Sequence, residues 1–306
     1  MKIKIFCEAG KNQGLGHLMR CYRLKKMLLD LGYQALIYQS GEENSSLSDF
    51  HCKWLDEDKI ENLLQETDVA IIDSYEATEH IYQKIMALVK KLIILDDNNR
   101  IPYPKNAIIL NGALGAQTLY PKTPNHLAGI EFLIFDKIFF CEKTPKPQVQ
   151  DILITFGGTD PLNITERVIT IIKDKPYIFH IVSRESLKVL KSQKIKPYHN
   201  ISPSQMADLM QKCDIAISAG GGTLNELAMS QVPTLVIPTA PNQIFQAKNW
   251  EKTGAMKITS FQDILRDLDT IVPMKKREKM ILKYKNIPFG KLLSNKLQSI
   301  LRETKE

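Results

Sequence analysis

The sequence predicts an α/β protein of two domains, each built on a parallel sheet that helices cover on both faces. The first observation is that apolar segments of strand length alternate with amphipathic segments of helical period, which is typical of parallel sheets. The second is that the alternation stops at the proline-containing stretch CEKTPKPQV, residues 141–149, and then starts again. The third is the length of 306 residues, which suits two domains better than one core.

In the first half, strands and helices alternate from the first residues onward. Ile3 opens an apolar strand, and apolar residues then recur with helical period up to Gly32. The predicted strands of this half are 3–9, 34–39, 68–74, 91–97 and 107–112. The predicted helices are 17–32, 56–67 and 79–90.

The second half repeats the pattern after the proline-containing stretch. Ser202 is a suitable N-cap for one of its helices. The predicted strands are 151–158, 177–183, 214–222 and 233–239. The predicted helices are 163–173, 202–213, 223–231 and 242–254, with two more in the segment after Met274. The predicted domains are 1–145 and 146–306, and the sequence leaves open whether the last helices pack back on the first domain.

Composition excludes several classes of protein. The formal charge is +7, but the basic residues are spread along the chain and accompany no nucleic-acid motif. We therefore expect no nucleic-acid partner, and either a basic cleft for an anionic small molecule or a plain solvated surface. The five cysteines form no CxxC pair, which favours a reduced, cytoplasmic protein without a structural zinc site. No apolar run is long enough to predict stable membrane insertion, and the opening MKIKIF predicts a strand and not a secretory signal. The oligomeric state is left open.

Two parallel sheets in tandem are expected to place their carboxyl ends opposite each other across a cleft, where ligands of such sheets bind. After the first strand comes GLGH, residues 14–17. Glycines allow a tight turn, and a helix N-terminus favours neutral imidazole, the form that a general base needs near pH 7. His17 is therefore a candidate base, with an incidental turn histidine as the alternative.

Polar residues follow three further strands. Asp73 and Tyr75 come after one apolar run, and either face the cleft or serve as a helix cap and a core tyrosine. The adjacent Asp96 and Asp97 follow the next run, where two carboxylates could bind a metal, although such pairs are common in loops. The stretch FGGTD, 156–160, is suited to a tight turn in which Thr159 and Asp160 cap the following helix.

The stretch SAGGGTLNE, residues 218–226, is the most informative of these strand ends. Three glycines end a strand and open a helix, which is how the backbone forms a nest for a diphosphate. Thr223 and Asn225 could donate hydrogen bonds to it, and Glu226 could accept them from a ribose diol. The pattern is neither an ATP-type P-loop nor a GxGxxG fingerprint. In the following TAPNQ, Asn242 and Gln243 offer amides to sugar hydroxyl or acetamido groups.

Taken in order, GLGHLMRC, IIDSY, LDD, FGGTD, SAGGGTLNE and PNQ resemble the UDP-sugar hydrolase family of pseudaminic acid biosynthesis, which is similar to the two-domain glycosyltransferases of lipid II synthesis. The resemblance implies two Rossmann-like domains facing across a cleft, the GT-B fold. It implies cleavage of UDP-2,4-diacetamido-2,4,6-trideoxy-L-altrose to UDP and free sugar, without a metal or other cofactor. It also implies that His17 activates water for attack at the anomeric carbon with inversion.

The resemblance also assigns residues to the two halves of the substrate. The predicted substrate-binding residues are Gly14, Gly16, Arg20, Asp73, Tyr75, Asn242 and Gln243; of these, Tyr75 would lie in the sugar site, and Asn242 and Gln243 would face the sugar and the phosphates. The predicted nucleotide-binding residues are Gly158, Ala219, Gly220, Gly221, Gly222, Thr223, Asn225 and Glu226.

Three departures from the family pattern concern the sugar. Ser74 stands where the family often has histidine, and Phe132 and Asp136 stand where it often has tyrosine and arginine. The triple glycine at 220–222 is closer to the transferases than to the serine-rich loop common in the hydrolases. The alternatives are therefore a glycosyltransferase on the same scaffold, using a UDP-sugar donor, and a non-catalytic module that binds a nucleotide sugar.

Overall fold

The computed structural model describes residues 1–10, 15–42, 44–157, 160, 163–183 and 192–305. In chain order the strands are β1 Ile3–Glu8, β2 Ala35–Ser40, β3 Phe50–His51, β4 Val69–Asp73, β5 Lys91–Leu95, β6 Ile108–Asn111, β7 His126–Ala128, β8 Asp151–Thr155, β9 Ile178–Ser183, β10 Ile195–His199, β11 Ile215–Ser218, β12 Thr234–Val236 and β13 Met256–Ile258. The helices are α1 Gly16–Asp30, α2 Glu57–Leu64, α3 Glu79–Leu88, α4 Ile164–Ile172, α5 Pro203–Lys212, α6 Thr223–Met229, α7 Pro241–Thr253, α8 Ile264–Ile271, α9 Met274–Tyr284 and α10 Leu293–Glu303. Short 3-10 helices occur at Ala116–Thr118, Ile130–Phe132 and Lys137–Phe139.

The chain forms two compact units. One consists of Met1–Phe135 with Pro288–Glu306, and the other of Asp136–Ile287. Among the described residues, the first unit has a parallel sheet in the order β3-β2-β1-β4-β5-β6-β7. The second has a parallel sheet in the order β10-β9-β8-β11-β12-β13. The predicted α/β class with two parallel sheets is confirmed.

The central strands are apolar on both faces, which is why helices cover both sides of each sheet. Every residue of β4 (VAIID) and of β8 (DILIT) is buried. Side chains alternate across a strand, so Ile71 packs into one core of the first unit and Ile72 into the other. Polar groups on these strands are confined to their ends, and the carboxyl ends of parallel strands meet at one edge.

The last helix belongs to the first unit. Leu293, Leu297, Ile300 and Leu301 of α10 lie in the same hydrophobic core as β1 and α1. The chain reaches α10 through Gly290, which has φ +60° and donates its N–H to the Ile130 carbonyl at 2.9 Å. A Cβ at this position would lie 2.3 Å from the Phe135 ring, so only glycine allows the two segments to approach so closely.

The predicted strands and helices are present, with their ends shifted by a few residues. Ser202 caps α5 as predicted: its hydroxyl accepts from the Gln205 N–H at 3.3 Å, and its own N–H donates to the Gln205 side chain at 2.8 Å. The elements that were not predicted are β3, β7, β10, β13 and α8.

Within the ranges described, no helix combines the length and the apolar character that crossing a bilayer requires.

Candidate active site

The predicted site residues of the first unit converge because they follow neighbouring strands. Strand β4 pairs with β1 on one side and with β5 on the other, with Asp73 in register with Cys7 and with Leu95. Helix α1 follows β1, so His17 at its start lies above the same edge. The structure brings His17, Arg20, Asp73 and Tyr75 together, as expected for residues at the carboxyl ends of parallel strands.

A short contact between His17 and Asp73 is the centre of this cluster. The imidazole Nδ1 lies 2.5 Å from Asp73 Oδ1, and the side chains are 7% and 0% exposed. A neutral imidazole that donates from Nδ1 keeps its lone pair on Nε2. Asp73 therefore fixes the orientation of the ring and leaves Nε2 as the basic nitrogen.

The pKa of His17 is shifted in the direction opposite to the expectation that a helix N-terminus favours the neutral ring. Burial lowers the pKa of His17, but the charge and the hydrogen bond of Asp73 raise it by more, so the pKa lies above its usual value of 6.5. The expectation was wrong because it considered only the helix dipole, whereas a carboxylate in direct contact has the larger effect. His17 is consequently a stronger base than a free histidine.

Arg20 joins two carboxylates. Its Nε and Nη2 donate to the two oxygens of Asp73 at 2.7 and 2.6 Å, and its Nη1 donates to Asp97 Oδ1 at 2.5 Å. Burial raises the pKa of Asp73, but Arg20 and His17 lower it by more, so the pKa lies well below its usual range. The guanidinium that was predicted to bind substrate is thus engaged with protein carboxylates, in the bidentate arrangement that suits arginine.

Tyr75 completes the cluster. Its hydroxyl donates to Asp97 Oδ2 at 2.6 Å, and its ring stands edge-on to the His17 ring, with centroids 4.6 Å apart and planes at 87°. Asp97 was considered only as a metal ligand at the sequence level. Its position just after β5, the neighbour of β4, was the signal that could have placed it beside Asp73 and Arg20.

Asp96, the other member of the predicted pair, is buried among protein donors. It accepts from the hydroxyls of Tyr103 and Tyr120 and from the Asn99 N–H, at 2.8 Å for Tyr103 and 2.7 Å for Asn99. The two adjacent carboxylates therefore have separate environments. Asp96 holds the loop after β5, and Asp97 belongs to the His17 cluster.

Glu8 is a buried acid that the sequence analysis did not single out. It ends β1 and is 1% exposed. Its Oε2 accepts the Tyr75 N–H at 3.2 Å, whereas its Oε1 has no hydrogen-bond partner within the part of the chain that the structure describes. Burial raises the pKa of Glu8 to about 7. The only sequence signal was its position at the carboxyl end of a central strand.

This pKa predicts a pH-dependent stability for which Glu8 is responsible. Because the folded-state pKa of about 7 exceeds the usual 4.5, the neutral acid stabilises the fold fully below pH 4.5, and this contribution disappears as the pH rises through 7. The shift corresponds to about 3 kcal/mol. We expect the free energy of unfolding of wild type to fall by about that amount relative to Glu8→Gln between pH 4.5 and 8, as measured by urea unfolding. A difference between wild type and Glu8→Gln that stays constant over this pH range would refute the prediction.

In the second unit, the glycine loop between β11 and α6 packs against the start of α7. The Gly220 N–H donates to the Gln243 side-chain oxygen at 3.0 Å, and the Thr239 N–H donates to the same oxygen at 2.9 Å. A Cβ on Gly220 would lie 2.9 Å from Gln243, whereas one on Gly222 would meet no atom within 4 Å. Gly220 is therefore needed for packing, and Gly222 leaves its backbone open.

The other predicted nucleotide residues lie beside this loop. Asn225 is 9% exposed, and its side-chain oxygen accepts from Gln246, which also donates to the Gly221 carbonyl at 3.4 Å. Thr223 and Glu226 are half-buried on α6, and Ala219 is buried at the end of β11. Asn242 is exposed at the start of α7.

The turn after β8 and the turn before α1 are only partly described. Asp160 caps α4 as predicted, because its carboxylate accepts the N–H groups of Ile164 and Thr165, each at 2.8 Å. Gly16 begins α1, and a Cβ there would meet no atom within 4 Å. The predicted residues Gly14 and Gly158, and the predicted cap Thr159, lie outside the described residues.

Comparison with known proteins supports the resemblance noted from the motifs. Residues 152–295 match the family model described as the glycosyltransferase family 28 C-terminal domain. The chain is 31% identical to a Helicobacter pylori protein named pseudaminic acid cytidylyltransferase and UDP-2,4-diacetamido-2,4,6-trideoxy-beta-L-altropyranose hydrolase. The alignment covers 99% of this chain and 55% of that protein, so the chain spans about half the length of this relative.

Solved structures show the same architecture. MurG from Acinetobacter baumannii superposes with a TM-score of 0.69 at 14% identity, covering 99% of this chain and 100% of that one. MnaA from Staphylococcus aureus, solved with UDP, superposes with a TM-score of 0.70 at 12% identity, covering 100% of this chain and 98% of that one. These likenesses confirm the predicted fold. The chain thus has the GT-B fold, is similar over nearly all its length to about half of the Helicobacter pylori protein, and matches the glycosyltransferase family 28 C-terminal domain over residues 152–295.

Proposed function

We propose that this chain hydrolyses UDP-2,4-diacetamido-2,4,6-trideoxy-L-altrose to UDP and the free sugar. The observation that carries the proposal is the buried contact between His17 and Asp73 at the carboxyl edge of the first sheet. It is the arrangement that a general base for water requires, and a hydrolase needs a base but no binding site for an acceptor. The similarity to the Helicobacter pylori protein supports the choice of substrate.

In the proposed reaction, His17 Nε2 accepts a proton from a water molecule as the water oxygen attacks the anomeric carbon. The bond between that carbon and the oxygen of the β-phosphate breaks, and UDP leaves with the electron pair. Attack from the face opposite UDP inverts the configuration of that carbon. Asp73 holds the ring and stabilises the imidazolium that forms, as the carboxylate does in hydrolytic triads.

The second unit is proposed to bind the nucleotide. The open backbone at Gly222 allows close approach of a diphosphate, and Gln243 holds the loop in place through Gly220. Thr223 and Asn225 would hydrogen-bond the nucleotide, and Glu226 would accept from the ribose hydroxyls. The sugar is proposed to contact Tyr75 in the first unit, and the assignment of Asn242 to the substrate stays a prediction. The assignments of Gly14, Gly16 and Gly158 to substrate contacts stay predictions.

The test is to incubate the purified chain with the UDP-sugar without any acceptor and to follow UDP and free sugar together. We expect the two products in equal amounts, an inverted anomer in NMR spectra recorded before mutarotation, and the same rate in EDTA. UDP-N-acetylglucosamine is the matched control substrate. Release that requires an added acceptor would instead identify a glycosyltransferase, which the family 28 model also fits. Tight UDP binding without turnover would identify a binding module.

A further inference from the structure

The residues of the His17 cluster form a closed circuit of contacts. His17 contacts Asp73, Asp73 accepts from Arg20, Arg20 donates to Asp97, and Asp97 accepts from Tyr75. The edge contact of Tyr75 with the imidazole closes the circuit. Each member is therefore held on two sides, and displacing any one of them removes a support of the His17 ring.

The positive and negative charges of the His17 cluster do not cancel. Arg20 carries one positive charge, and Asp73 and Asp97 each carry a negative charge. The cluster therefore has a net charge of −1 while His17 is neutral. Without Asp97, the charge of Arg20 would offset that of Asp73, and the imidazolium formed during catalysis would be stabilised less by Asp73. With Asp97 bound to Nη1 of Arg20 at 2.5 Å, the negative charge of Asp73 is available to His17.

We propose that Asp97 is a positioning residue that acts on the base His17 through Arg20 and Tyr75. This inference rests on the proposed function for its consequence in catalysis, but its geometry does not depend on the substrate. Through Arg20, Asp97 balances the guanidinium charge. Through the Tyr75 hydroxyl, it holds the aromatic ring edge-on against the imidazole.

The exposure of the two carboxylates separates their roles. The Asp73 side chain is 0% exposed, whereas that of Asp97 is 32% exposed. Replacing Asp97 with asparagine therefore leaves no deeply buried charge without a partner. Other titratable groups near His17 are Glu8 on β1 and the Cys21 thiol on α1, which contacts Asp73. Neither contacts Asp97 through a hydrogen bond that the described residues show, so their titration should survive its replacement.

The experiment compares wild type, Asp97→Asn and Asp97→Glu by NMR titration of the His17 ring and by the rate of UDP release. In Asp97→Asn we expect the His17 pKa to fall, because a negative charge that favours the imidazolium is lost. We also expect kcat to fall about tenfold, with the acid limb of its pH profile moving to lower pH. Asp97→Glu keeps the charge and should restore the His17 titration towards that of wild type.

The matched control is Asp49→Asn. Asp49 is 28% exposed and pairs with Lys25, two turns further along α1, so its loss should change neither the His17 titration nor the rate. An unchanged His17 titration in Asp97→Asn would overturn the inference, even if the wild type hydrolyses the UDP-sugar. If the His17 pKa falls in Asp97→Asn but the wild type does not hydrolyse the UDP-sugar, the role of Asp97 is supported and only the proposed function is refuted.

Discussion

His17→Ala is expected to lower the rate of UDP release by about 10²–10⁴-fold, the usual contribution of a general base. The water would lose its proton acceptor, while Asp73 and Arg20 would keep their ion pair and preserve the local fold. The measurement is steady-state UDP release at saturating UDP-sugar. His80→Ala is the matched control: this histidine is 70% exposed on α3 and should be replaceable without loss of activity.

The pH profile and chemical rescue make this test more specific. Because the pKa of His17 is raised above 6.5, the wild-type rate should fall as the pH decreases through a value above 6.5, where the ring becomes protonated and can no longer accept a proton. Added imidazole should restore part of the activity of His17→Ala. If His17→Ala releases UDP at the wild-type rate, His17 is not the base and the proposed mechanism is wrong.

The long strands and helices could be predicted because their signals are local. Strand β4 is a continuous apolar run, and α1 has apolar residues at helical spacing. The missed strands are two to five residues long, and β10 is a partly exposed edge strand that contains Pro197. Such an edge strand is defined by its neighbour β9 and not by its own composition, so its sequence resembles a loop.

The sequence could predict only those site residues whose positions follow from the order of the strands in the sheet. His17, Asp73 and Tyr75 were expected because they follow apolar runs that become neighbouring strands. The sequence could not show that Arg20 binds two carboxylates, because this depends on side-chain conformations across segments that are 53 and 77 residues apart. Likewise, Gln243 was expected to face the ligand, whereas its oxygen holds Gly220, which is 23 residues distant.

Replacing Arg20 with methionine is expected to lower the free energy of unfolding by about 3–5 kcal/mol, the usual cost of leaving a buried charge without its partner. Asp73 is 0% exposed and, among the residues that the structure describes, would retain only His17 as a possible counter-ion. The measurement is urea unfolding followed by circular dichroism. Lys2→Met, which breaks an exposed pair with Glu66 in the same unit, should cost much less stability than Arg20→Met.

The pH dependence of the Arg20→Met effect distinguishes charge from lost packing. Below the pKa of His17, the imidazolium can pair with Asp73 and replace part of the missing positive charge. Above that pKa the ring is neutral, so the destabilisation should increase as the pH rises through the pKa of His17. Adding Asp73→Asn to the variant removes the stranded carboxylate and should recover part of the stability. A loss of stability that is equal below and above the pKa of His17 and unchanged in the double variant would mean that Arg20 stabilises the fold through its aliphatic stem and not through its charge.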